Sequence, residues 1–79
     1  MKLTAEIIVS SPRVSALRHC FDAELTSMQT ARSNVSIHTT KEIMQFTISA
    51  TDATALRATL NTITKLLSVF EKAAEENND

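Results

Sequence analysis

The chain contains no glycine in 79 residues, and this absence restricts both its turns and its ligand-binding loops. Glycine adopts positive φ at little cost, so each tight turn must use another residue or another turn type. The phosphate-binding loops GxGxxG and GxxxxGK[ST] require glycine, as does the GxxG clamp of KH-type RNA-binding domains. The sequence therefore excludes these nucleotide-binding loops and one class of RNA-binding domain.

The length of the chain predicts one domain with a small core. Chains of this size bury only about 60% of the surface that they expose when unfolded, and such a core supplies about 3–5 kcal/mol of net stability. Cys20 is the one cysteine, so no intrachain disulfide can form, and no metal-ligand spacing appears. We expect a single domain over residues 1–75, a frayed polar tail at residues 76–79, and stabilisation by oligomerisation.

The composition narrows the class of protein further. Eight basic and nine acidic residues give a net charge of −1, which disfavours a strongly basic nucleic-acid-binding protein. A hydrophobic content of 43% is typical of a globular domain. No apolar run approaches the roughly 20 residues that cross a bilayer, and the first residues do not form a signal-peptide core. We expect a cytoplasmic protein that does not contact a membrane.

Two hydrophobic periodicities divide the chain into five elements. Residues 2–10, 32–39 and 43–50 alternate as strands do, and residues 14–28 and 53–74 carry apolar residues at helical spacing. Ser11-Pro12 and Asp52 are typical helix starts, with Asp52 as the helix cap, and Thr40-Lys41 is the predicted hairpin connection. The order is β-α-β-β-α, which predicts a two-layer α+β fold. We expect a three-stranded antiparallel sheet with both helices on one face and the apolar third strand in the centre.

The second helix carries more apolar surface than one sheet needs. Its main stripe comprises Leu56, Leu60, Ile63, Leu67, Phe70 and Ala74. A helix of this length, about 33 Å, also extends beyond strands of about 25 Å. Exposed apolar patches usually mark interaction sites. A second stripe on this helix could pack in part against the first helix of the same chain, but such cover is scarcest in the second half of the helix. We therefore predict a partner-binding surface composed of Thr59, Thr62, Leu66, Val69, Phe70 and Ala73. The open edge of the first strand predicts a dimer that joins two sheets.

The polar residues do not form a pattern typical of catalysis. His19 and Cys20 are adjacent on a helix and point about 100° apart, so they cannot act as a nucleophile and its base. The sequence contains no catalytic triad and no paired carboxylates, so we predict that the protein is not an enzyme. Arg57 and Asn61 lie one turn apart on a polar helix face. Their spacing fits either a solvated pair or a contact to a protein partner or an RNA phosphate.

A family resemblance lies in two segments, RSNVSI at residues 32–37 and FTISATDATALRATLNT at residues 46–62. They resemble the small Pcc-type subunit of the KEOPS (EKC) complex, a family that includes archaeal members and the CTAG cancer–testis antigens. Its pattern is RS-x-V-x-I followed by A-x-D-x-x-ALRA-x-x-N-[ST]. The residues that match are Arg32, Ser33, Asp52, Leu56, Arg57 and Asn61. The chain departs from the family at Ile63 and Leu67, in a region where aromatic residues are usual.

The resemblance implies a non-catalytic subunit without a cofactor. Such a subunit pairs with itself or with a Pcc-like paralogue and binds a Kae-type threonylcarbamoyl transferase through its helices. With a Bud-type kinase and a Cgi-type tRNA-binding subunit, that enzyme makes threonylcarbamoyladenosine in tRNA. The resemblance also makes Arg32, Arg57 and Asn61 candidates for contacts to a partner or to tRNA. The alternative is a small autonomous RNA-binding module or a homodimeric interaction module.

Overall fold

The computed structural model describes the backbone of residues 1–76 and the side chains of residues 1–74. Of the predicted tail at residues 76–79, the backbone of residue 76 belongs to the last helix, and residues 77–79 lie outside the described residues. The elements are β1 (Leu3–Ser10), α1 (Val14–Met28), β2 (Ser33–Thr39), β3 (Ile43–Ala50) and α2 (Ala53–Glu76). This order confirms the predicted β-α-β-β-α arrangement and the α+β class.

The strands form one antiparallel sheet in the order β1-β3-β2. β3 lies in the centre as predicted, with Ile7 of β1 and Ile37 of β2 both opposite Phe46. The residues of β3 that face the helices are buried, namely Met44, Phe46, Ile48 and Ala50. A central strand is covered along both edges, so it exposes less of its surface than an edge strand does. The most apolar strand, β3, therefore takes the central position.

Both helices lie on one face of the sheet, which they do not cover evenly. α1 and α2 both pack on β2 and β3, and the rings of Phe21 and Phe46 meet edge to face with their centroids 4.8 Å apart. The helix-facing side chains of β1 are only half-buried, namely Leu3, Ala5, Ile7 and Val9. The edge strand β1 is therefore the least protected part of the core.

The chain forms its turns without positive φ anywhere in residues 1–76. The turn between β2 and β3 places Lys41 and Glu42 at its tip, one residue later than predicted, and the Thr40 N–H donates to the Ile43 carbonyl. α1 begins at Val14, after the predicted start at Ser11-Pro12. The reason is that the Ser11 N–H still bonds to the Glu42 carbonyl across the sheet, so the chain must leave the sheet before the helix can start.

Candidate interaction surfaces

A groove between α1 and α2 contains most of the predicted partner-binding residues. It is lined by Cys20, Phe21, Leu66, Val69, Phe70 and Ala73. Val69 is 59% exposed, Ala73 is exposed, and Leu66 and Phe70 are half-buried. We call this region the helix groove. Thr62 is exposed on the same side of α2, so α1 leaves this flank of α2 partly uncovered.

Thr59, which was also predicted for this surface, lies inside the molecule. It is 6% exposed, and its hydroxyl donates to Ser33 Oγ at 3.1 Å. Ser33 Oγ lies 3.0 Å from Thr30 Oγ1, so three hydroxyls connect the α1–β2 loop, β2 and α2. A buried hydroxyl needs a partner of this kind. We therefore leave Thr59 out of the proposed surface and assign it to the packing of α2 on the sheet.

Arg32 and Asp52 form an ion pair that joins the start of β2 to the start of α2. The Arg32 guanidinium donates to both Asp52 oxygens, at 3.0 and 2.6 Å, and Asp52 Oδ1 also accepts the Ala55 N–H at 2.8 Å. These hydrogen bonds, that of Arg32 first, lower the pKa of Asp52 to about 2. The same pairing raises the pKa of Arg32. The Arg32 guanidinium is thus already engaged within its own chain.

The lowered pKa of Asp52 predicts a pH-dependent contribution to stability. A carboxylate with a folded-state pKa below its unfolded value stabilises the fold above pH 4, and this contribution is lost as the pH falls towards 2. Asparagine caps helices as well as aspartate, so Asp52→Asn removes mainly the charge. We expect Asp52→Asn to lower the urea midpoint at pH 7, and the difference from the unmodified protein to become small near pH 2 and to vanish below it.

The exposed Glu42 provides a matched control for this experiment. Glu42→Gln removes one carboxylate outside the ion pair and should leave the urea midpoint unchanged at pH 7. A difference between Asp52→Asn and the unmodified protein that is equally large at pH 2 would contradict the assignment to charge.

Arg57 and Asn61 lie on the side of α2 that faces away from the sheet. Both are exposed, and within the described part of the chain neither side chain has a hydrogen-bond partner or a salt bridge. Their side chains are therefore free to contact another molecule.

Most of the free edge of β2 is covered by groups of the same chain. Its outward backbone groups belong to Ser33, Val35, Ile37 and Thr39, because the intervening residues pair with β3. The Gln29 side-chain amide donates to the Val35 carbonyl at 2.8 Å and accepts the Val35 N–H at 3.1 Å. Arg18 donates to the Ile37 carbonyl at 3.3 Å, and Thr30 bonds the Ser33 backbone. A strand edge covered in this way resists pairing with another chain.

The free edge of β1 has no such cover. Ser11 bonds to Glu42, so alternate residues of β1 pair with β3, and the N–H and C=O groups of Thr4, Glu6, Ile8 and Ser10 point outwards. No hydrogen bond from the described backbone, or from the side chains of residues 1–74, reaches these groups. The Ile8 side chain is 65% exposed on the outer face of the sheet. Sequence reasoning identified the open β1 edge but missed the cover on β2, because no local pattern links Gln29 or Arg18 to that strand.

The described residues contain no cluster of metal-ligating or nucleophilic side chains. No set of three His, Cys, Asp or Glu side chains among residues 1–74 could hold a metal ion, and Cys20 is exposed. In the same stretch no helix is both long and apolar enough to cross a membrane. Taken together, the prominent features are an apolar groove and an open strand edge.

The fold and these features define a small two-layer α+β domain with apolar surface left uncovered beside its helices and at one edge of its sheet. The chain belongs to the Pcc1 family, since the family model described as transcription factor Pcc1 matches residues 2–75. This match confirms the family resemblance. The Pcc1 family is a non-catalytic subunit of the KEOPS complex, which associates the chain with tRNA processing. Neither the curated proteins nor the solved structures yielded a match to the chain.

Proposed function

We propose that this chain is a dimerisation subunit of the KEOPS complex that docks the threonylcarbamoyl transferase and has no catalytic activity of its own. Family membership supports the assignment to KEOPS. The observation that carries the docking role is the helix groove, where Val69 and Ala73 stay exposed beside the partly buried Leu66 and Phe70.

The helix groove suits a partner that offers a helix. Apolar side chains exposed at adjacent helix turns are the usual recognition surface for an amphipathic helix, which places its own apolar face between them. Removing such side chains from water is favourable by about 25 cal/mol per Å². We propose a Kae-type threonylcarbamoyl transferase as this partner. The Bud-type kinase, the Cgi-type subunit and tRNA are then reached through the assembled complex, in the cytoplasm.

Dimerisation is proposed through β1, since its edge is open while most of that of β2 is covered. The partner strand belongs to a second copy of this chain or to a Pcc-like paralogue. This use of β1 leaves the helix groove of each copy available for the transferase, because the groove lies between the two helices and the free edge of β1 lies at the side of the sheet.

Arg57 and Asn61 are the positions that we propose for additional contacts to a partner protein or to tRNA. Both are exposed on the polar side of α2. The Arg32 guanidinium already donates to Asp52, so any contact of Arg32 with a partner involves a group that is also part of this ion pair. The chain has no Trp or Tyr for base stacking and a net charge of −1, which does not favour tight RNA binding by the isolated chain.

A charge in the helix groove is expected to weaken transferase binding strongly. Val69→Asp places an unpaired carboxylate where the partner must exclude water, which costs at least about 1–3 kcal/mol, equivalent to a rise of about 5- to 150-fold in the dissociation constant. Isothermal titration calorimetry of the purified chain with a Kae-type transferase measures this change.

Ser68 provides the matched control, because it is exposed on the same helix, points about 100° away from Val69 and does not line the helix groove. Ser68→Asp adds the same charge and should bind the transferase like the unmodified chain. Equal binding by Val69→Asp would contradict docking in the helix groove. Tight binding of tRNA by the isolated chain, with a steep dependence on salt, would instead favour the autonomous RNA-binding module.

A further inference from the structure

The Gln29 side chain lies against the free edge of β2 in the way that a neighbouring strand would. Its amide donates to the Val35 carbonyl at 2.8 Å and accepts the Val35 N–H at 3.1 Å. In an antiparallel sheet, two residues of adjacent strands exchange the same pair of hydrogen bonds. The Gln29 amide therefore takes the place of one residue of a further strand.

Contacts with the end of α1 hold this amide in position. Gln29 Nε2 also donates to the Leu25 carbonyl at 3.2 Å, so the nitrogen and the oxygen of the amide are both fully engaged. The Gln29 backbone N–H donates to the Thr26 carbonyl at 3.2 Å. Because its backbone and its side chain are both anchored to α1, the helix that packs beside β2 presents the amide to the edge of that strand.

Arg18 extends this cover to the next outward residue of β2. Its guanidinium donates to the Ile37 carbonyl at 3.3 Å. Asp22, one turn later on α1, accepts from Arg18 Nε at 2.8 Å and fixes the direction of the side chain. A charged side chain at a strand edge disfavours pairing with another chain. Gln29 and Arg18 thus cover adjacent parts of the same edge.

The number of open edges determines how far association between sheets can continue. A molecule with one open edge can add one neighbour there, and the assembly stops. A molecule with two open edges can add a neighbour at each, and such contacts produce filaments when they do not close into a ring. Because the edge of β1 is open in this chain, the cover on β2 decides between a finite assembly and open-ended growth.

We propose that Gln29 is a specificity-determining residue of assembly, which blocks the β2 edge against a strand of a second copy. A strand that pairs with β2 must first displace the Gln29 amide from Val35. The new backbone hydrogen bonds would only replace existing ones, so the exchange brings little gain. This role is separate from the proposed docking and dimerisation, which use the helix groove and β1.

Gln29→Ala is expected to turn a finite species into one that grows with concentration. Sedimentation velocity of the unmodified chain should reach a limiting mass, and Gln29→Ala should exceed that mass about twofold or more at the same high concentration. Gln45→Ala is the matched control, since it removes the same amide from the outer face of the sheet, where Gln45 bonds to Glu6. A Gln29→Ala variant that sediments like the unmodified chain at every concentration would overturn the proposal.

Amide hydrogen exchange locates the new interaction independently of particle size. In dilute Gln29→Ala the Val35 amide should exchange about tenfold faster than in the unmodified chain, because its acceptor is gone. At high concentration the amides of Val35 and Ile37, which both point to the edge, should become protected by the carbonyls of another copy. Mass spectrometry with residue-level fragmentation measures both rates. Larger species in which these two amides stay unprotected would contradict pairing at β2.

The Ile8→Pro background separates this inference from the proposed dimerisation. With β1 blocked, Ile8→Pro/Gln29→Ala should form a pair through β2 and grow no further. A double variant that stays monomeric, with Val35 unprotected, overturns the role of Gln29 and leaves the proposed function standing. If Ile8→Pro alone remains a dimer, dimerisation through β1 is wrong, and the protection of Val35 in Gln29→Ala still decides the role of Gln29.

Discussion

The Ile8→Pro variant is expected to be a folded monomer. The Ile8 N–H points to the open edge of β1, so proline there removes no hydrogen bond of the β1–β3 ladder, and edge strands tolerate proline in this orientation. In the dimer, proline removes one hydrogen bond from each copy and brings its ring against the opposing strand. Two lost hydrogen bonds at about 1 kcal/mol each, together with this steric clash, correspond to about 100-fold weaker association.

Matched variants separate the backbone effect from the side-chain effect. Ile8→Thr keeps the N–H and the β-branched shape, so it should remain dimeric. Ile7→Pro removes an N–H that faces β3 and should destabilise the domain itself. Sedimentation velocity over a range of concentrations gives the association state, and circular dichroism reports the fold. A dimer of unchanged affinity in Ile8→Pro would mean that the copies associate through another surface.

Phe46→Ala is expected to unfold the isolated domain. Phe46 is fully buried in the central strand and packs against the Phe21 ring. Truncating a buried phenylalanine costs about 3–5 kcal/mol, which equals the net stability expected of a domain of this size. The variant should lose its helical circular dichroism signal at 25 °C without denaturant.

Ile8→Ala is the control for the loss of a large apolar side chain. Ile8 is 65% exposed, and exposed substitutions usually change stability by less than about 0.5 kcal/mol. Because dimerisation stabilises the folded state by mass action, a higher concentration of Phe46→Ala should restore part of its signal. A cooperative unfolding transition within about 1 kcal/mol of the unmodified chain would contradict a core centred on Phe46.

The order of the elements could be predicted because each one carries its own periodicity. Alternating residues predicted three strands, helical spacing predicted two helices, and the most apolar strand was correctly expected in the centre. The start of α1 moved from Ser11-Pro12 to Val14, since the bond from Ser11 to Glu42 joins residues far apart in the sequence. Local patterns cannot anticipate such a bond.

The candidate surfaces depended more on tertiary structure. The excess of apolar residues on α2 was visible in the sequence, but helical spacing alone could not separate the buried Thr59 from the exposed Val69. The position of α2 over the sheet determines that Thr59 is buried and Val69 is exposed. Ser33 accepts a hydrogen bond from the Thr59 hydroxyl, which allows that hydroxyl to be buried. Arg32, a candidate contact by resemblance, was found to be paired with Asp52.

The sequence by itself determined which residues form strands and helices and which side of each element is apolar, because both properties are encoded by neighbours along the chain. Only the tertiary structure decided which apolar residues stay uncovered and which strand edge stays open. Gln29 and Arg18 cover the edge of β2 because α1 packs beside that strand, whereas no side chain of residues 1–74 bonds to the outward groups of β1. Periodicity shows that a face is apolar, whereas the packing of distant segments determines what covers it.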